Sequence, residues 1–451
     1  MATMRNGTSL RRPQNGSVIT ALTVRGFKSL AEDTRIDISP LTILAGANSS
    51  GKSSAMQPLL LLKQTLDQSY DPGPLQLDGP HVRFSKAEQL FSRGGNRDGA
   101  ANMAFGIALE NDRWVENEYA SIQRKPGLKL STTRYVQGHD DYQLSEDMDD
   151  AALRQLLPEG ISPRLLTSNG GSLDLVLSVG RRFAFQVLLA SEREIPRFMF
   201  PFPYLTLDPF IEAIGRVIHL PGLRGNPERT YTTTAVGQRM AGPFHPYIAS
   251  ILQSWKESDK VRLEGIGEDL RSLDLTWKVD TTTVDDTRVE IKVGRLPRGA
   301  RGGSQDLVSI ADVGLGVSQT LPVLVALRFA NPGQLVYIEQ PEIHLHPRAQ
   351  LALAAILAAA AQRGVIVVVE THSSSLLLGI QTLVASAKLN SNLVKLHWFK
   401  RDPESGCTQV ASAILDSAGA FGEWPEDFAD TTLQAEQSYL EAAEARLFSH
   451  A

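Results

Sequence analysis

A glycine-rich loop near the start of the chain constrains its fold more than any other feature. Residues 44–56 read LAGANSSGKSSAM, in which four residues separate Gly46 from Gly51-Lys52-Ser53. An apolar, β-branched run precedes this loop and an apolar helical pattern follows it, which is the strand–loop–helix context that the motif requires. The glycines let the backbone curl so that N–H groups point at phosphate oxygens, and the following helix presents its positive end. The pattern predicts a nucleoside triphosphate site.

The motif also predicts which residues of the loop do what. Lys52 is expected to place its ammonium between the β- and γ-phosphates, and the Ser53 hydroxyl is expected to bind Mg²⁺. A Gly/Ser-rich turn that only caps a helix is the alternative, and the agreement of pattern with context disfavours it. The candidate nucleotide-binding residues of the loop are Gly46, Ala47, Asn48, Ser49, Ser50, Gly51, Lys52, Ser53 and Ser54.

A strand that ends in a carboxylate lies far downstream. The stretch LVYIEQPEIHLHP (335–347) places Glu339 where a strand end can deliver an acid to Mg²⁺ beside a phosphate loop. The next residue is Gln340, at a position where ATPases of this layout usually have a carboxylate that activates water. An amide orients water but does not accept its proton as a carboxylate does. Either hydrolysis is slow, or Glu342 or His372 takes more of the catalytic work.

Three histidines lie close to these strand ends. His372, in VIVVVETHS (365–373), ends the next strand, from which its side chain can reach a γ-phosphate. For His344 and His346 we favour packing at the start of a helix over a chemical role. A zinc site at this His-x-His is disfavoured because no third ligand is evident nearby.

A second glycine motif precedes the acidic strand. ADVGLGVSQTLPVL (311–324) places four candidate residues at the start of an apolar helix: Gly314, Gly316, Ser318 and Gln319. Many helices begin with Gly and Ser, so the motif gains its value from its position between the phosphate loop and the acidic strand. It predicts a second anion site, which would bind the γ-phosphate held by a partner subunit.

The order of apolar segments predicts the fold class. Strand and helix patterns alternate at both ends of the chain, which indicates an α/β fold with a largely parallel sheet covered on both faces by helices. Between them lie short mixed segments without a heptad repeat, which indicate an inserted α+β lobe and not a long coiled coil. We therefore expect the following division: a disordered tail (1–17), the two halves of an ATPase lobe (18–110 and 300–400), the inserted lobe (111–299) and a closing segment (401–451).

Composition narrows the function classes. The net charge of −5 gives no global basic surface for nucleic acid, and the single cysteine, Cys407, excludes an internal disulfide framework. The N-terminal residues lack the apolar core of a secretory signal. Apolar runs such as 351–361 are too short to span a bilayer. We expect a cytoplasmic protein without a membrane partner.

These motifs together resemble those of ABC-type ATPase heads, in the SMC-like and OLD-like branch of prokaryotic AAA-family ATPases. VRGFKSL followed by the phosphate loop looks like the opening of that branch, DVGLGVSQ like its signature motif, and ETHS like its switch histidine. LPGLRGNPERTY and GEWPEDFAD are similar to a subfamily that has a conserved C-terminal domain of unknown function. The resemblance is good over 18–110 and 300–430 and poor between them.

The resemblance implies a P-loop NTPase fold of the ABC-ATPase head type. It also implies a homodimer, or a higher even-numbered oligomer, that closes around two Mg-ATP. Each nucleotide would lie between Gly46–Ser53 of one chain and Gly314–Gln319 of the other, with Ser318 contacting the γ-phosphate and His372 serving as the switch. A glutamine that contacts the metal is also implied, and Gln89 in KAEQLF is the candidate, although a solvated loop glutamine is the alternative.

The function that the resemblance implies is ATP hydrolysis in anti-phage defence or DNA-linked work. The residues after His372 are too few for a fused Toprim nuclease, so we expect a separate effector or nuclease. Two alternatives remain: an ATP-gated scaffold that does not hydrolyse, which Gln340 motivates, and a transporter's nucleotide-binding subunit, which the large insertion disfavours. Arginines in 222–231 and 294–303 leave DNA open as a partner, although solvated loops explain them equally well.

Overall fold

The computed structural model describes most of the chain. The described residues are 17–92, 102–122, 127–156, 167–168, 171–180, 183–191, 200–201, 206–237, 239–295, 306–422, 437–438 and 440–441. The tail expected over 1–17 lies outside them apart from its last residue. Most of the end of the closing segment also lies outside them.

The central layer is a six-stranded sheet in the order β12-β17-β18-β3-β19-β20. All neighbours in it are parallel except β19 and β20, which form an antiparallel pair. The strands are β3 (Leu41–Gly46), β12 (Ile218–Leu220), β17 (Leu335–Glu339), β18 (Ile366–Thr371), β19 (Val394–Arg401) and β20 (Thr408–Ile414). The expected α/β fold with a largely parallel sheet is confirmed.

Both faces of this sheet are buried because successive side chains on each strand enter different cores. On β3, Ile43 packs in one hydrophobic cluster and Leu44 in the other. On β17 the same alternation separates Ile338 from Tyr337. Near-continuous apolar runs are what a parallel sheet covered on two sides requires, because neither face is left to water.

Helices cover the two faces. The bounds are α1 (Lys52–Leu66), α6 (Leu315–Phe329), α7 (Pro347–Gln362) and α8 (Ser374–Ala385). Apolar side chains of α1 lie in one core, and those of α6, α7 and α8 lie in the other. At the start of α8 the Ser373 hydroxyl accepts the Leu376 N–H, the usual way in which a serine satisfies an otherwise unpaired donor at a helix start. Pro58 lies inside α1, which continues through it.

A second, antiparallel sheet has the order β2-β1-β4-β5-β6-β7. Its strands are β1 (Ile19–Arg25), β2 (Thr34–Asp37), β4 (Asn102–Leu109), β5 (Arg113–Ser121), β6 (Leu128–Gln137) and β7 (Asp140–Ser145). β4 pairs with β5 along its length, from Asn102↔Ala120 to Leu109↔Arg113. The sheet therefore spans the boundary that we expected at residue 110.

The expected insertion contains two smaller sheets and several helices. The elements that complete the fold are α2 (Asp150–Gln155), β8 (Thr167–Ser168), β9 (Gly171–Gly180), β10 (Ala184–Ser191), β11 (Phe200–Pro201), α3 (Asp208–Gly215), β13 (Tyr231–Thr232), α4 (Ile248–Ser258), α5 (Lys260–Ser272), β14 (Val279–Asp285), β15 (Arg288–Gly294) and β16 (Leu307–Ser309). β8–β11 form one sheet and β13–β16 the other. Strand β12, also from this part of the chain, joins the central sheet beside β17. No helix among the described residues is long and apolar enough to cross a membrane.

Candidate functional site

The phosphate loop joins β3 directly to α1, as the sequence predicts. Gly46 and Gly51 have φ angles of 145° and 102°, which side chains other than glycine rarely adopt. A Cβ at Gly46 would also overlap the carbonyl oxygen of Phe399, and one at Gly51 would overlap the hydroxyl of Thr408. Both glycines are therefore required by backbone conformation and by the close approach of β19 and β20.

The Lys52 side chain lies over its own loop. Its Nζ donates to the carbonyl oxygens of Gly46 (3.1 Å) and Ala47 (2.8 Å) and lies 3.5 Å from Ser50 Oγ. Burial lowers the pKa of Lys52, and the nearby carboxylates of Glu370 and Glu342 oppose that effect. The ammonium is thus placed above the curled backbone, where phosphate oxygens would meet it.

The Ser53 hydroxyl is paired with a carboxylate that the sequence motifs did not reveal. Ser53 Oγ donates to Glu370 Oε1 at 2.9 Å, and the Tyr337 hydroxyl donates to Glu370 Oε2 at 3.0 Å. Burial raises the pKa of Glu370 above its ordinary value, against the lowering effect of the Ser53 hydrogen bond. The sequence feature that could have pointed to Glu370 is its position just before Thr371-His372-Ser373, at the end of β18.

A cavity of about 830 Å³ opens over the loop. Three residues from other parts of the chain that were predicted to act there do line it: Gln89, Gln340 and His372. Burial, and then Lys52, lower the pKa of His372, so its imidazole is neutral at pH 7. The volume lies in the usual range of about 300–1,000 Å³ for ligand pockets. One cavity therefore unites the loop, two amides, a carboxylate and an imidazole.

The turn between β19 and β20 forms another wall of this cavity, and no sequence motif pointed to it. Thr408 Oγ1 donates to the carbonyl oxygen of Ser50 at 2.7 Å, and Arg401 Nη1 lies 3.5 Å from the carbonyl oxygen of Ser49. Ser405, Gly406 and Cys407 also line the cavity. The closing strands thus brace the phosphate loop from a part of the sequence without a recognisable motif.

Two predicted acids do not line the cavity. Glu339 has both carboxylate oxygens engaged, one 3.2 Å from His219 Nε2 and the other accepting the Gly222 N–H at 3.0 Å. Glu342 Oε1 accepts from the Thr371 hydroxyl and from the backbone N–H of His372. The metal-supporting role expected for Glu339 and the catalytic role expected for Glu342 stay predictions, and in this structure both carboxylates are engaged within the chain.

The protonation state of Glu339 follows from those contacts. Burial alone would raise the pKa of Glu339, but the hydrogen bond from His219 and the Gly222 N–H hold it below its ordinary value. The carboxylate is therefore an anion that anchors the segment after β12 to the end of β17.

The second glycine motif begins α6, with Gly314 as its N-cap. Gly314 and Leu315 are exposed, and nothing lies within 4 Å of the position where a Cβ on Gly314 would be. N–H groups in the first turn of a helix lack partners within the helix, so this end can receive an anion from outside the chain.

Ser318 is one turn further along and is only 8% exposed, and its hydroxyl donates back to the carbonyl oxygen of Leu315. Gln319 is also buried: its Oε1 accepts the Arg224 N–H and its Nε2 donates to the Gly225 carbonyl oxygen. The expectation that Ser318 meets a partner's γ-phosphate stays a prediction, and in this structure the exposed residues of the motif are Gly314 and Leu315.

Ser318 borders a different cavity, of about 340 Å³, together with Arg224 and His245. None of the residues lining this cavity lines the cavity over the phosphate loop. Within one chain, no residue of the second glycine motif therefore lines the cavity over the phosphate loop.

Two of the arginines considered for DNA binding, Arg224 and Arg229, are paired with groups of the same chain. Arg224 is buried and donates through Nη1 to the Gln319 carbonyl oxygen and through Nη2 to the Glu339 carbonyl oxygen. Arg229 forms an exposed ion pair with Asp312 at 2.7 Å. Of the second stretch, 296–303 lies outside the described residues.

His346, the second histidine after β17, has a structural role. His346 is the N-cap of α7, and its Nδ1 accepts the Arg348 N–H at 3.3 Å. Among the described residues, no group of three or more His, Cys, Asp and Glu side chains is placed to hold a metal ion. The interpretation of His346 as a residue that starts a helix is confirmed.

Two family models match the chain. The model described as "AAA ATPase domain" matches residues 18–123, which contain the phosphate loop. The model described as "AAA domain, putative AbiEii toxin, Type IV TA system" matches residues 254–378, which contain the second glycine motif, Glu339 and His372. The resemblance to an AAA-family ATPase is confirmed by these matches.

Solved SMC head domains also align with the chain. An SmcHead bound to the C-winged helix domain of ScpA aligns at 13% identity and a TM-score of 0.49, over 89% of this chain and 99% of its own. The SMC head domain from Thermotoga maritima aligns at 11% identity and a TM-score of 0.38, over 87% and 98%. The Smc head domain from Pyrococcus furiosus aligns at 11% identity and a TM-score of 0.46, over 95% and 100%. No curated protein matches the chain.

Proposed function

We propose that this AAA-family ATPase binds ATP with Mg²⁺ in the cavity of about 830 Å³ and hydrolyses it slowly. The observation that carries the proposal is that one cavity brings together residues 48–54 of the loop with Gln340, Glu370 and His372. Lys52 and the loop N–H groups would bind the phosphates, and residues 401–407 would border the rest of the nucleotide.

The residues present suit a magnesium ion. Mg²⁺ prefers oxygen ligands, and the Ser53 hydroxyl lies beside the carboxylate of Glu370 at the floor of the cavity. When bound, the ion would neutralise charge on the β- and γ-phosphates. Ser53 would hold it, and Gln89, which lines the same cavity, would contribute its side-chain oxygen, which in this structure accepts the backbone N–H groups of Ser85 and Lys86.

Slow hydrolysis follows from the side chains that surround the attacking water. Gln340 lines the cavity and can orient water, but it does not accept a proton as a carboxylate does. His372 is neutral and lies near Lys52, so it can sense the γ-phosphate and accept a hydrogen bond. The rate of turnover would therefore depend more on how Gln340 and His372 position the water and the γ-phosphate than on general-base catalysis.

Two chains would close around two nucleotides in this proposal. The exposed start of α6 at Gly314 belongs to a site separate from the phosphate loop of its own chain, so its natural anion is a phosphate held by another copy. We propose a homodimer, or a higher even-numbered oligomer, that is assembled by Mg-ATP. The match of residues 254–378 to a family described as "putative AbiEii toxin, Type IV TA system" supports a role in defence. We propose that this role is antiviral and is carried out with a separate effector.

The test is nucleotide binding and phosphate release by the full chain. We expect Lys52→Ala to weaken binding of a fluorescent ATP analogue about tenfold or more, because a charge-assisted hydrogen bond contributes about 1.5–3 kcal/mol. Lys388→Ala is the matched control, since this exposed lysine lies before β19, at the opposite end of the strands from the loop. Equal binding by both variants would contradict the proposal.

Two alternative functions would be favoured by other experimental outcomes. Tight binding with no phosphate release, with and without DNA, would favour a non-hydrolysing ATP-gated scaffold, which Gln340 motivates. Copurification with a membrane permease would favour a transporter subunit.

A further inference from the structure

We propose that Glu370 is the carboxylate that organises the magnesium side of the site, by holding the Ser53 hydroxyl in the orientation that binds the ion. This inference rests on the proposed function. It moves the metal-supporting role from Glu339, which has the expected position in the sequence, to the end of the neighbouring strand. Glu370 is a positioning residue in this role, because it acts through Ser53.

The hydrogen bond to Glu370 sets the direction of the Ser53 hydroxyl. A hydroxyl that binds a cation offers a lone pair to it and must donate its hydrogen elsewhere. Glu370 Oε1 is that acceptor, 2.9 Å from Ser53 Oγ. With its hydrogen held by Glu370, Ser53 turns its free lone pairs towards the cavity that both residues line. Outer partners of this kind commonly change metal affinity about 10- to 100-fold.

Glu370 is itself held in place. The Tyr337 hydroxyl donates to Glu370 Oε2 at 3.0 Å, and Tyr337 is completely buried. The ring of Tyr337 stacks on His219, with centroids 5.4 Å apart and planes 10° apart. A carboxylate fixed by a rigid phenol at one oxygen and by Ser53 at the other has little freedom to turn away.

Glu339, by contrast, is engaged elsewhere. Glu339 and Glu370 are register partners on β17 and β18, and β18 is the strand that pairs with β3. Neighbouring strands are about 4.8 Å apart, so Glu370 comes between Glu339 and the phosphate loop. Both oxygens of Glu339 are bound, by His219 and by the Gly222 N–H. Its carboxylate anchors the segment after β12 and does not face Ser53.

The experiment measures metal support directly. The affinity for a non-hydrolysable ATP analogue is titrated with Mg²⁺ and with EDTA, and Mn²⁺ binding to the analogue complex is followed by electron paramagnetic resonance. We expect Glu370→Gln and Glu370→Ala to weaken Mn²⁺ binding about 10- to 100-fold while affinity in EDTA changes little. Glu339→Gln should keep the gain in affinity that Mg²⁺ confers and lower the unfolding temperature instead.

A double-mutant cycle tests whether Glu370 acts through Ser53. If it does, Ser53→Ala combined with Glu370→Ala weakens Mn²⁺ binding no more than Ser53→Ala alone, because the two changes remove one shared function. Tyr337→Phe keeps the ring and its stacking, and we expect it to cause a smaller loss in the same direction. This variant keeps the inference testable if Glu370→Ala does not fold.

The inference is overturned if Glu339→Gln abolishes the Mg²⁺-dependent gain in affinity for the ATP analogue while both Glu370 variants retain that gain. It is also overturned if the losses of Mn²⁺ affinity caused by Ser53→Ala and Glu370→Ala add in the double mutant. Failure of the proposed function would look different. In that case the unmodified chain would bind no nucleotide, with or without Mg²⁺.

Discussion

Glu339 and Glu370 lie opposite each other on adjacent parallel strands, and only Glu370 is hydrogen-bonded to the phosphate loop. Glu339 is held by His219 and Gly222 on the other side. The chain then turns sharply at Gln340, where φ is 44°. The turn delivers the Gln340 amide into the nucleotide cavity. The residue that follows the acidic strand thus lines the cavity in which we propose that ATP is hydrolysed.

We expect Gln340→Glu to raise ATP turnover by about one to three orders of magnitude, because a general base usually contributes about 10²–10⁴. Single-turnover phosphate release at saturating nucleotide measures this change. Gln340→Ala is the matched control and should lower turnover, since it can neither orient water nor accept a proton. An unchanged rate for Gln340→Glu, with unchanged nucleotide affinity, would show that Gln340 does not limit the chemistry.

The exposed start of α6 makes a prediction about assembly. Gly314→Asp keeps a good N-cap residue and so should leave the fold intact, but it places a negative charge where a partner's phosphate would bind. We expect it to weaken Mg-ATP-dependent self-association at least about tenfold in light scattering. Ser318→Ala should change it by less than about threefold, because Ser318 is buried. A larger loss of self-association in Ser318→Ala than in Gly314→Asp would indicate that Ser318 contacts the partner's phosphate.

A buried lysine in the last turn of α1 predicts a large effect on stability. Lys63 has no exposed surface; its Nζ donates to the carbonyl oxygens of Gly215 (3.2 Å) and Met240 (3.0 Å) and lies 3.2 Å from Asp67. We expect Lys63→Ala to lower the free energy of unfolding by about 3–5 kcal/mol, because it leaves a buried carboxylate without its partner.

Urea unfolding measures this loss, and Lys129→Ala supplies the control. Lys129 pairs with Glu146 at 3.5 Å, but about half of its side chain is exposed. Removing an exposed pair should cost at most about 1 kcal/mol. Comparable losses in the two variants would mean that the contacts of Lys63 contribute little.

A contact between the partly buried His81 and the buried His219 predicts how stability depends on pH. His81 Nδ1 lies 2.9 Å from His219 Nδ1. Burial, followed by the charges of His219 and Lys63, lowers the pKa of His81 to about 2. The unfolded chain binds a proton at this histidine below about pH 6.5 and the folded chain does not, so stability falls as the pH decreases.

Between pH 7 and pH 5 this difference amounts to about 2 kcal/mol, because the slope approaches about 1.4 kcal/mol per pH unit only below pH 6.5. We expect His81→Asn, whose amide can replace Nδ1 in the contact with His219, to lose that part of the pH dependence. Urea unfolding of both proteins at pH 7 and pH 5 provides the comparison. If the free energy of unfolding falls equally in the two proteins between pH 7 and pH 5, His81 takes up a proton in the folded state.

Much of the fold follows from local patterns. The β-branched run 41–44, the glycines of the loop and the apolar helix after it predicted β3 and α1 because each depends on neighbours within a few residues. The alternation of strands and helices after residue 305 likewise predicted the parallel sheet. The antiparallel sheet was harder to foresee, because β4 and β5 pair across a change in composition that looks like a domain boundary.

The sequence by itself determined the phosphate loop of this protein, since a curled backbone, a lysine and a helix start are encoded in eight consecutive residues. Only the tertiary structure decided which carboxylate serves that loop. Ser53 and Glu370 are 317 residues apart, and their contact depends on the pairing of β18 with β3. The same folding turns Glu339 towards His219 and buries Ser318. Motif spacing carries no information about such contacts, because strand order and packing direction arise from the whole core.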